Sequence, residues 1–546
     1  MYKEYVIGVD FGTDSVRAVV VDTADGKQIS SATSYYKRWK QGLYRHPEKA
    51  VFRQHPLDYL ESLEECIKNS LADLSDEERG CIKGIGADTT GSTPVPVNKE
   101  GTPLALLDEF RENENAMFFL WKDHSAFREA EEINRAFKHG SETDYCKYQG
   151  DYCAEWFWAK ILHAVRNDES IRENAYTWQE HSDWITAVLC GETRPEKIYH
   201  GACAAGHKAY WHSEWGGLPS AELLGSLDPY LVKVRERYGN SPKPSTECVG
   251  KLCPEWAEKL GLSENVIISG SSFDAHAGAV GAGIGENTLV SSIGTSAGHM
   301  IVEKKGKKPD GNMNCFCGRA EDSILPGYVG VETGQAAFGD IFAWFRNLLM
   351  WPLRNIEHAL SEEEVTKIED ELLAKLQEQA EKLPPEPFPV SVDWFNGRRY
   401  PNTDDSQDGM IDGLTLGMDA PYVFRALVFG AICGMKRIID GLESQGISID
   451  SVTAVGGISK KSPFVMQMMA DVLDKKVAVV DADQTCALGA AIYAAVASGV
   501  YGRIEDAGDH MAAKTVREYL PDGEKRDFYR THYGEYLKLA EFAEGN

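Results

Sequence analysis

Apolar and polar positions in this chain repeat one pattern twice. Residues 6–22, VIGVDFGTDSVRAVVVD, set an apolar run, a Gly12-Thr13-Asp14-Ser15 step and a second apolar run in succession. Residues 289–302, LVSSIGTSAGHMIV, repeat the order with Gly294-Thr295-Ser296 at the step. Apolar runs bounded by glycine and small polar residues predict strands joined by a tight turn. Such a turn leaves backbone N–H groups free, and a nest of that kind can hold a phosphate. Two of them, one in each half, imply two related domains that grip one nucleotide.

The rest of the chain extends this grammar. Residues 57–74, LDYLESLEECIKNSLADL, carry apolar positions at helical spacing. Residues 82–98, IKGIGADTTGSTPVPVN, read as a strand, a Thr/Gly/Ser/Pro loop and a second strand. An aromatic, helical middle follows at 117–137, 155–165 and 181–190. Residues 241–256 read as a loop approaching a domain boundary. Strand-and-turn patterning restarts at 265–283, NVIISGSSFDAHAGAVGAG. Residues 361–385 predict a charged helix ending at Pro384-Pro385, exposed on the second domain, with a subunit contact as the alternative. Residues 451–473 read as strand, Gly456-Gly457 turn and helix, and 474–481 as another strand. The longest apolar stretch, CALGAAIYAAVASGV at 486–500, is shorter than the roughly 20 residues that span a bilayer. Its Ala and Gly content suits a helix packed closely on a sheet. The expected fold class is α/β, in two domains over 1–265 and 266–546.

Composition narrows the functions. At 546 residues the chain exceeds one ordinary core. An apolar share of 43% and a charged share of 26% are those of a soluble globular protein. The formal charge of −27 argues against a nucleic-acid surface, while a local nest of N–H groups can still hold an anion. The 12 cysteines follow no framework, and Cys315 and Cys317 form a lone C-x-C, so neither a zinc site nor a disulfide scaffold is expected. Reduced thiols, and a first strand that starts with no leader pattern before it, fit a cytoplasmic protein.

Chemistry is suggested at a few positions. Asp10 closes the first strand beside the first turn, where a carboxylate can hold Mg²⁺ directly or through water, or can cap the turn. Gly456-Gly457 precedes a helix N-terminus, which suits an anion or nucleotide, or is a packing turn. GAVGAGIG at 278–285 lacks the helix and acidic residue of a dinucleotide site. Asp274 ends an apolar strand among small residues. It is either a proton acceptor or a helix N-cap. Trp121-Lys122-Asp123-His124, Ala205-Gly206-His207-Lys208 and Glu332-Thr333-Gly334-Gln335 supply flat apolar surface and polar groups that suit a sugar. His124 and His207 read as satisfied fold histidines. Lys208, if buried, needs an acceptor, and a ligand oxygen is one candidate.

With IGVDFGTDSVRAVVVD, DTTGSTPVPV, WKDH, AGHK, SGSSFDAHAGAVGAG, IGTSAGHM, DWFNGRR and GGISKKS in view, the chain resembles the FGGY carbohydrate kinases of the actin-like ATPase superfamily. Within them it resembles the branch that acts on L-ribulose, and the resemblance runs over almost the whole chain. It implies two actin-like, ribonuclease H-like domains, each a mixed sheet flanked by helices, with an ATP and sugar cleft between them. It implies ATP- and Mg²⁺-dependent transfer of a phosphoryl group to O5 of L-ribulose, a step of L-arabinose breakdown. D-ribulose or L-xylulose are the alternative substrates, and a non-kinase ATP-binding module is the reading from another class. By resemblance Asp274 is the general base. Trp121, Lys208 and Glu332 line the sugar site, with Gly91 and Ser92 beside them. Asp10 organises Mg²⁺. Gly12, Thr13, Asp14, Ser15, Gly294, Thr295 and Ser296 form the phosphate turns, and Gly456 and Gly457 lie on the adenosine side. Ser462 stands where relatives often carry Asn, and Ala297 where another hydroxyl can occur. The implied partners are ATP, the sugar and a second copy in a homodimer, with no nucleic acid and no membrane.

Overall fold

Two mixed sheets organise the chain in the computed structural model, which describes residues 3–239, 241–306, 318–384, 387–404, 406–481 and 483–545. Cys315, Cys317 and Pro385 lie outside the described residues. Strands are numbered within the two main sheets. In the first, β1 (Tyr5–Phe11) and β2 (Ser15–Asp22) pair antiparallel across the first Gly-Thr turn, with Phe11 opposite Val16. β3 (Gln28–Tyr35) continues beside β2, and β4 (Ile82–Thr89) lies parallel to β1 with Asp10 opposite Asp88. β5 (Cys248–Lys251) and β6 (Ile267–Phe273) complete the order β5-β6-β4-β1-β2-β3. Every residue of β1 is buried, as expected of a central strand covered on both faces.

The second sheet repeats the plan. β7 (Thr288–Ile293) and β8 (Ala297–Lys304) pair across the second turn, with Ile293 opposite Ala297. β9 (Gly318–Glu321), β10 (Tyr328–Gln335), β11 (Ser451–Val455), β12 (Lys476–Val480) and β13 (Thr515–Tyr519) give the order β9-β10-β8-β7-β11-β12-β13.

Three expectations about local structure change. The segment 241–256 contains β5 and the start of the helix Pro254–Leu260, because β5 finds an antiparallel partner in β6. β6 pairs parallel with β4, so the chain leaves the first sheet after Phe273 and not at 265/266. The charged helix spans Glu362–Glu381, opened by a Ser361–Glu364 capping box and buried only at Leu376 and Ala380.

The Ala-rich stretch forms the helix Thr485–Ala497, which packs on the first sheet although it comes from the far end of the chain. A Cβ on Gly8 would lie 1.7 Å from the Ala487 carbonyl oxygen, and one on Gly86 2.1 Å from that of Ala490. Gly489 meets the helix Asp274–Gly281 as closely, at 1.8 Å from the Ala277 carbonyl. Helix, sheet and second helix therefore touch backbone to backbone. That close approach fixes where Asp10, Asp88 and Asp274 stand relative to one another.

Candidate active site

The two Gly-Thr turns form as the sequence predicts. The Gly12 N–H donates to the Ser15 carbonyl and the Gly294 N–H to the Ser296 carbonyl, both at 3.0 Å. In the first turn the Thr13 hydroxyl accepts from Trp121 Nε1 at 3.0 Å, and the Asp14 carboxylate accepts from Trp39 Nε1 at 2.5 Å. Ser15 is buried, so this turn offers main chain and Thr13 rather than a free serine. In the second turn Gly294 and Thr295 are exposed, and their carbonyls accept from the start of the helix Gly339–Asn355. The third turn splits its two glycines by role. Gly456 has φ +100°, and a Cβ there would lie 2.4 Å from the Ile293 carbonyl oxygen. A Cβ on Gly457 would meet nothing within 4 Å among the described residues, so that side of the turn is open to them. Ser462 caps the helix Pro463–Leu473 by accepting from Val465 N at 3.2 Å, and it donates to Gln377 at 2.8 Å. Its hydroxyl is committed to the fold. Ala297 is buried opposite Gln335.

Beneath the turns the parallel β1–β4 register sets Asp10 beside Asp88. Asp10, Asp88 and Cys486 hold their ligand atoms within 4.8 Å of one another. Arg17 bonds Asp10 at 2.9 Å. Burial raises Asp10 above the usual carboxylate range, and Arg17 opposes the rise. Asp88 is fully buried beside Asp10, and among the described residues neither of its oxygens has a partner within hydrogen-bond geometry. Burial, then the charges of Asp10 and Asp274, pushes it well above an ordinary aspartate. The same burial and the same carboxylates keep the Cys486 thiol protonated.

The third group gathers around Lys208 on the helix Ala202–Ala209 and Glu332 on β10. Lys208 Nζ lies 3.4 Å from Glu332 Oε2 and 5.0 Å from the centre of the Trp156 ring. Burial pushes Glu332 up, but Lys208, His276 and His207 pull it down to about 2, so it is ionised. Asp274 is the first residue of the helix Asp274–Gly281, and its Oδ1 accepts from the next N–H, Ala275, at 2.7 Å. It is therefore not the N-cap, a place held by Phe273. Burial, then the charge of Asp10, raises its carboxyl to about 7. The Gly91-Ser92 loop packs against this group from the first sheet. A Cβ on Gly91 would overlap the Phe273 ring. The Ser92 hydroxyl is turned inward onto buried Glu180, whose carboxylate also takes the Thr93 N–H at 2.8 Å. Lys160 donates to the carbonyls of Ser92, Leu120 and Phe119 at 2.7, 2.8 and 3.3 Å. Burial draws it toward neutrality, but only an ammonium can satisfy three acceptors at once.

Asp274, with its carboxyl raised to about 7, thus feels the charges of Asp10 on one side and of the Lys208–Glu332 pair on the other. Residues 5–206 match the N-terminal domain of the FGGY family of carbohydrate kinases, and residues 289–498 match its C-terminal domain. The chain belongs to the FGGY family of carbohydrate kinases. It is 43% identical over 550 residues to a ribulokinase of Vibrio parahaemolyticus, covering 100% of this chain and 96% of that one. It is 33% identical over 561 residues to a ribulokinase of Halalkalibacterium halodurans, covering 99% and 95%. The fold matches a xylulose kinase of Rhodospirillum rubrum with a TM-score of 0.80 at 18% identity, covering 99% of each chain. It also matches a glycerol kinase of Plasmodium falciparum with a TM-score of 0.76 at 16% identity, covering 98% of each. Two mixed α/β units of the FGGY kinase type are therefore the architecture, and the protein is a phosphotransferase. No helix among the described residues is long and apolar enough to cross a membrane.

Against this FGGY frame, the expected site residues separate into two sets. Lys208, Glu332 and Asp274 come together, and Asp10 joins Asp274 through its charge. Trp121 bonds Thr13 of the first turn instead. Three residues of the site were not foreseen. Asp88 has the same position on β4 that Asp10 has on β1, and that equivalence was its only signal. His276 lies two residues past Asp274, with a ring 4.8 Å from that of His207. Trp156, hidden in an aromatic run, faces the Lys208 ammonium.

Proposed function

We propose that this FGGY kinase transfers the γ-phosphoryl group of ATP to O5 of L-ribulose, giving L-ribulose 5-phosphate and ADP. The observation that carries the reading is Asp274, a carboxyl raised to about 7 between the Asp10–Asp88 pair and the Lys208–Glu332 pair. A base poised near the working pH both accepts a proton readily and is deprotonated often enough to act. Full-length relatives at 43% and 33% identity that are ribulokinases support the choice of sugar.

In this reading Asp274 takes the proton of the O5 hydroxyl as that oxygen attacks the γ-phosphorus. The O5–P bond forms, the bond from phosphorus to the ADP oxygen breaks, and the electron pair leaves with ADP. Lys208 and Glu332 supply a donor and an acceptor for sugar hydroxyls, and Trp156 supplies a flat apolar face. The two Gly-Thr turns hold phosphates by main chain, and Gly457 leaves room for the adenosine side. Asp10 and Asp88 suit Mg²⁺, because Asp88 brings two buried oxygens, without a hydrogen-bond partner among the described residues, of the ligand type a hard cation prefers. The protonated Cys486 thiol does not fit that donor set. When bound there, Mg²⁺ supplies charge neutralisation for the phosphates. In the same reading the two units enclose a cleft for both substrates, and the enzyme is cytoplasmic.

The experiment is ATP consumption measured with and without L-ribulose, for the wild type and Asp274→Asn. L-ribulose-dependent ADP release, lost in the variant, is the expected result. Near-wild-type turnover by Asp274→Asn would remove the aspartate from its role.

A further inference from the structure

His276 is fully buried, and neither ring nitrogen has a hydrogen-bond partner among the described residues. Buried polar side chains are seldom left in that state, because an unpaired donor or acceptor inside a protein is destabilising. The imidazole stands on the first turn of the helix Asp274–Gly281, and its Nε2 is 4.0 Å from Glu332 Oε2. Lys208 Nζ approaches the same oxygen at 3.4 Å. Both separations are longer than a good charge-assisted hydrogen bond, so the carboxylate is held loosely between two donors.

Neither of the described rings beside His276 competes for it. The Ser323 hydroxyl donates to the Ala320 carbonyl at 3.0 Å, so it accepts from His207 Nε2 at 3.1 Å. That assigns the His207 proton to Nε2 and leaves its Nδ1 an unpartnered acceptor. Phe273, the other ring beside His276, has no polar atom. His207, His276 and Glu332 also hold ligand atoms within 4.8 Å of one another. The Lys208 ammonium already neutralises that carboxylate and repels a metal cation, so the cluster is better read as a hydrogen-bonding set.

We propose that His276 is a positioning residue for the sugar site, donating its Nε2–H to Glu332 when the ketose is bound. A shift of about 1 Å brings the 4.0 Å separation into hydrogen-bond range. Glu332 Oε2 then accepts from Lys208 and His276 together, and Oε1 is left to accept from a sugar hydroxyl. This rests on the reading of Glu332 as a sugar ligand. His276 serves ketose binding and not ATP binding, and its neutral ring adds a directed donor without a second positive charge beside Lys208.

The test compares His276→Leu, which fills the space without a donor, with His276→Gln, which can return an N–H to the same region. Loss of one hydrogen bond to a charged group predicts a rise of about tenfold in KM for L-ribulose in His276→Leu. KM for ATP should stay within twofold of wild type, and His276→Gln should recover most of the loss. The thermal midpoint of His276→Leu should not fall, since the substitution removes an unpaired buried group. The proposal fails if His276→Leu leaves KM for L-ribulose within twofold of wild type, if it raises both KM values alike, or if His276→Gln is equally impaired. Glu332→Ala separates the two levels. An unchanged ketose KM there sinks the sugar-site reading itself, whereas a raised or unmeasurable one, with His276→Leu silent, sinks only the role of His276.

Discussion

Replacing Asp274 by Asn should abolish phosphoryl transfer and at the same time make the protein more stable. The carboxyl stands near 7 against an ordinary 3.8, chiefly because it is buried and faces Asp10. About three pH units at about 1.4 kcal/mol each is about 4 kcal/mol charged against the ionised fold above pH 7. Asp274 is only half-buried, so solvent screens the charge and brings the figure to about 2 kcal/mol. The direction follows from a folded-state value above the unfolded one. Ionisation is unfavourable in the fold, so the penalty is absent below about pH 4, grows between 4 and 7, and is constant above 7. Asn carries no such penalty at any pH. Thermal unfolding of the ligand-free protein should therefore place Asp274→Asn a few degrees above wild type at pH 8, with the gap closing as the pH falls toward 4. Turnover should drop by at least the 10²–10⁴-fold that a general base contributes. A variant that is inactive but no more stable at pH 8, or whose advantage does not shrink in acid, would refute the electrostatic account of this site.

Other outcomes follow from the same geometry. For wild type, kcat/KM for the ketose should climb about tenfold per pH unit below about 7 and level off above it, read from initial rates across pH 5.5–9. Gly457→Val should raise KM for ATP by about tenfold or more while leaving the thermal midpoint and the ketose KM unchanged, because the added atoms enter open space on the nucleotide side. Gly456→Ala should do the reverse, lowering stability by about 1–3 kcal/mol through strain at φ +100° and the contact with the Ile293 carbonyl. Ser462→Ala should lose about 1 kcal/mol as a helix cap, with ATP kinetics little changed, which denaturant unfolding and steady-state rates would check.

The strand–turn–strand units were legible because they are local. A Gly-Thr step between two apolar runs specifies its own pairing, and both hairpins form. The Ala and Gly of 486–500 also declared a closely packed helix, although only the structure names Gly8 and Gly86 as the residues it meets. What the chain concealed depends on pairing between distant segments. β6 joins the first sheet through β4, more than 170 residues earlier in the chain by sequence numbering, and nothing within 265–273 announces that partner. Asp88 acquires its character only when a parallel register sets it against Asp10. The resemblance set Ser92 beside the sugar site, yet buried Glu180 takes its hydroxyl. Ser462 stood out only as a departure from the Asn of relatives, and it caps a helix, a choice its Ser-Pro context allows but does not reveal.

The central claim concerns the acceptor of the phosphoryl group, so the most direct measurement is a panel of ketopentoses with ATP and Mg²⁺, compared by kcat/KM. L-ribulose should give the highest value, with phosphate found on O5 of the product and no appreciable ATP consumption without sugar. A higher kcat/KM for D-ribulose or L-xylulose, or ATP turnover indifferent to any ketose, would contradict it.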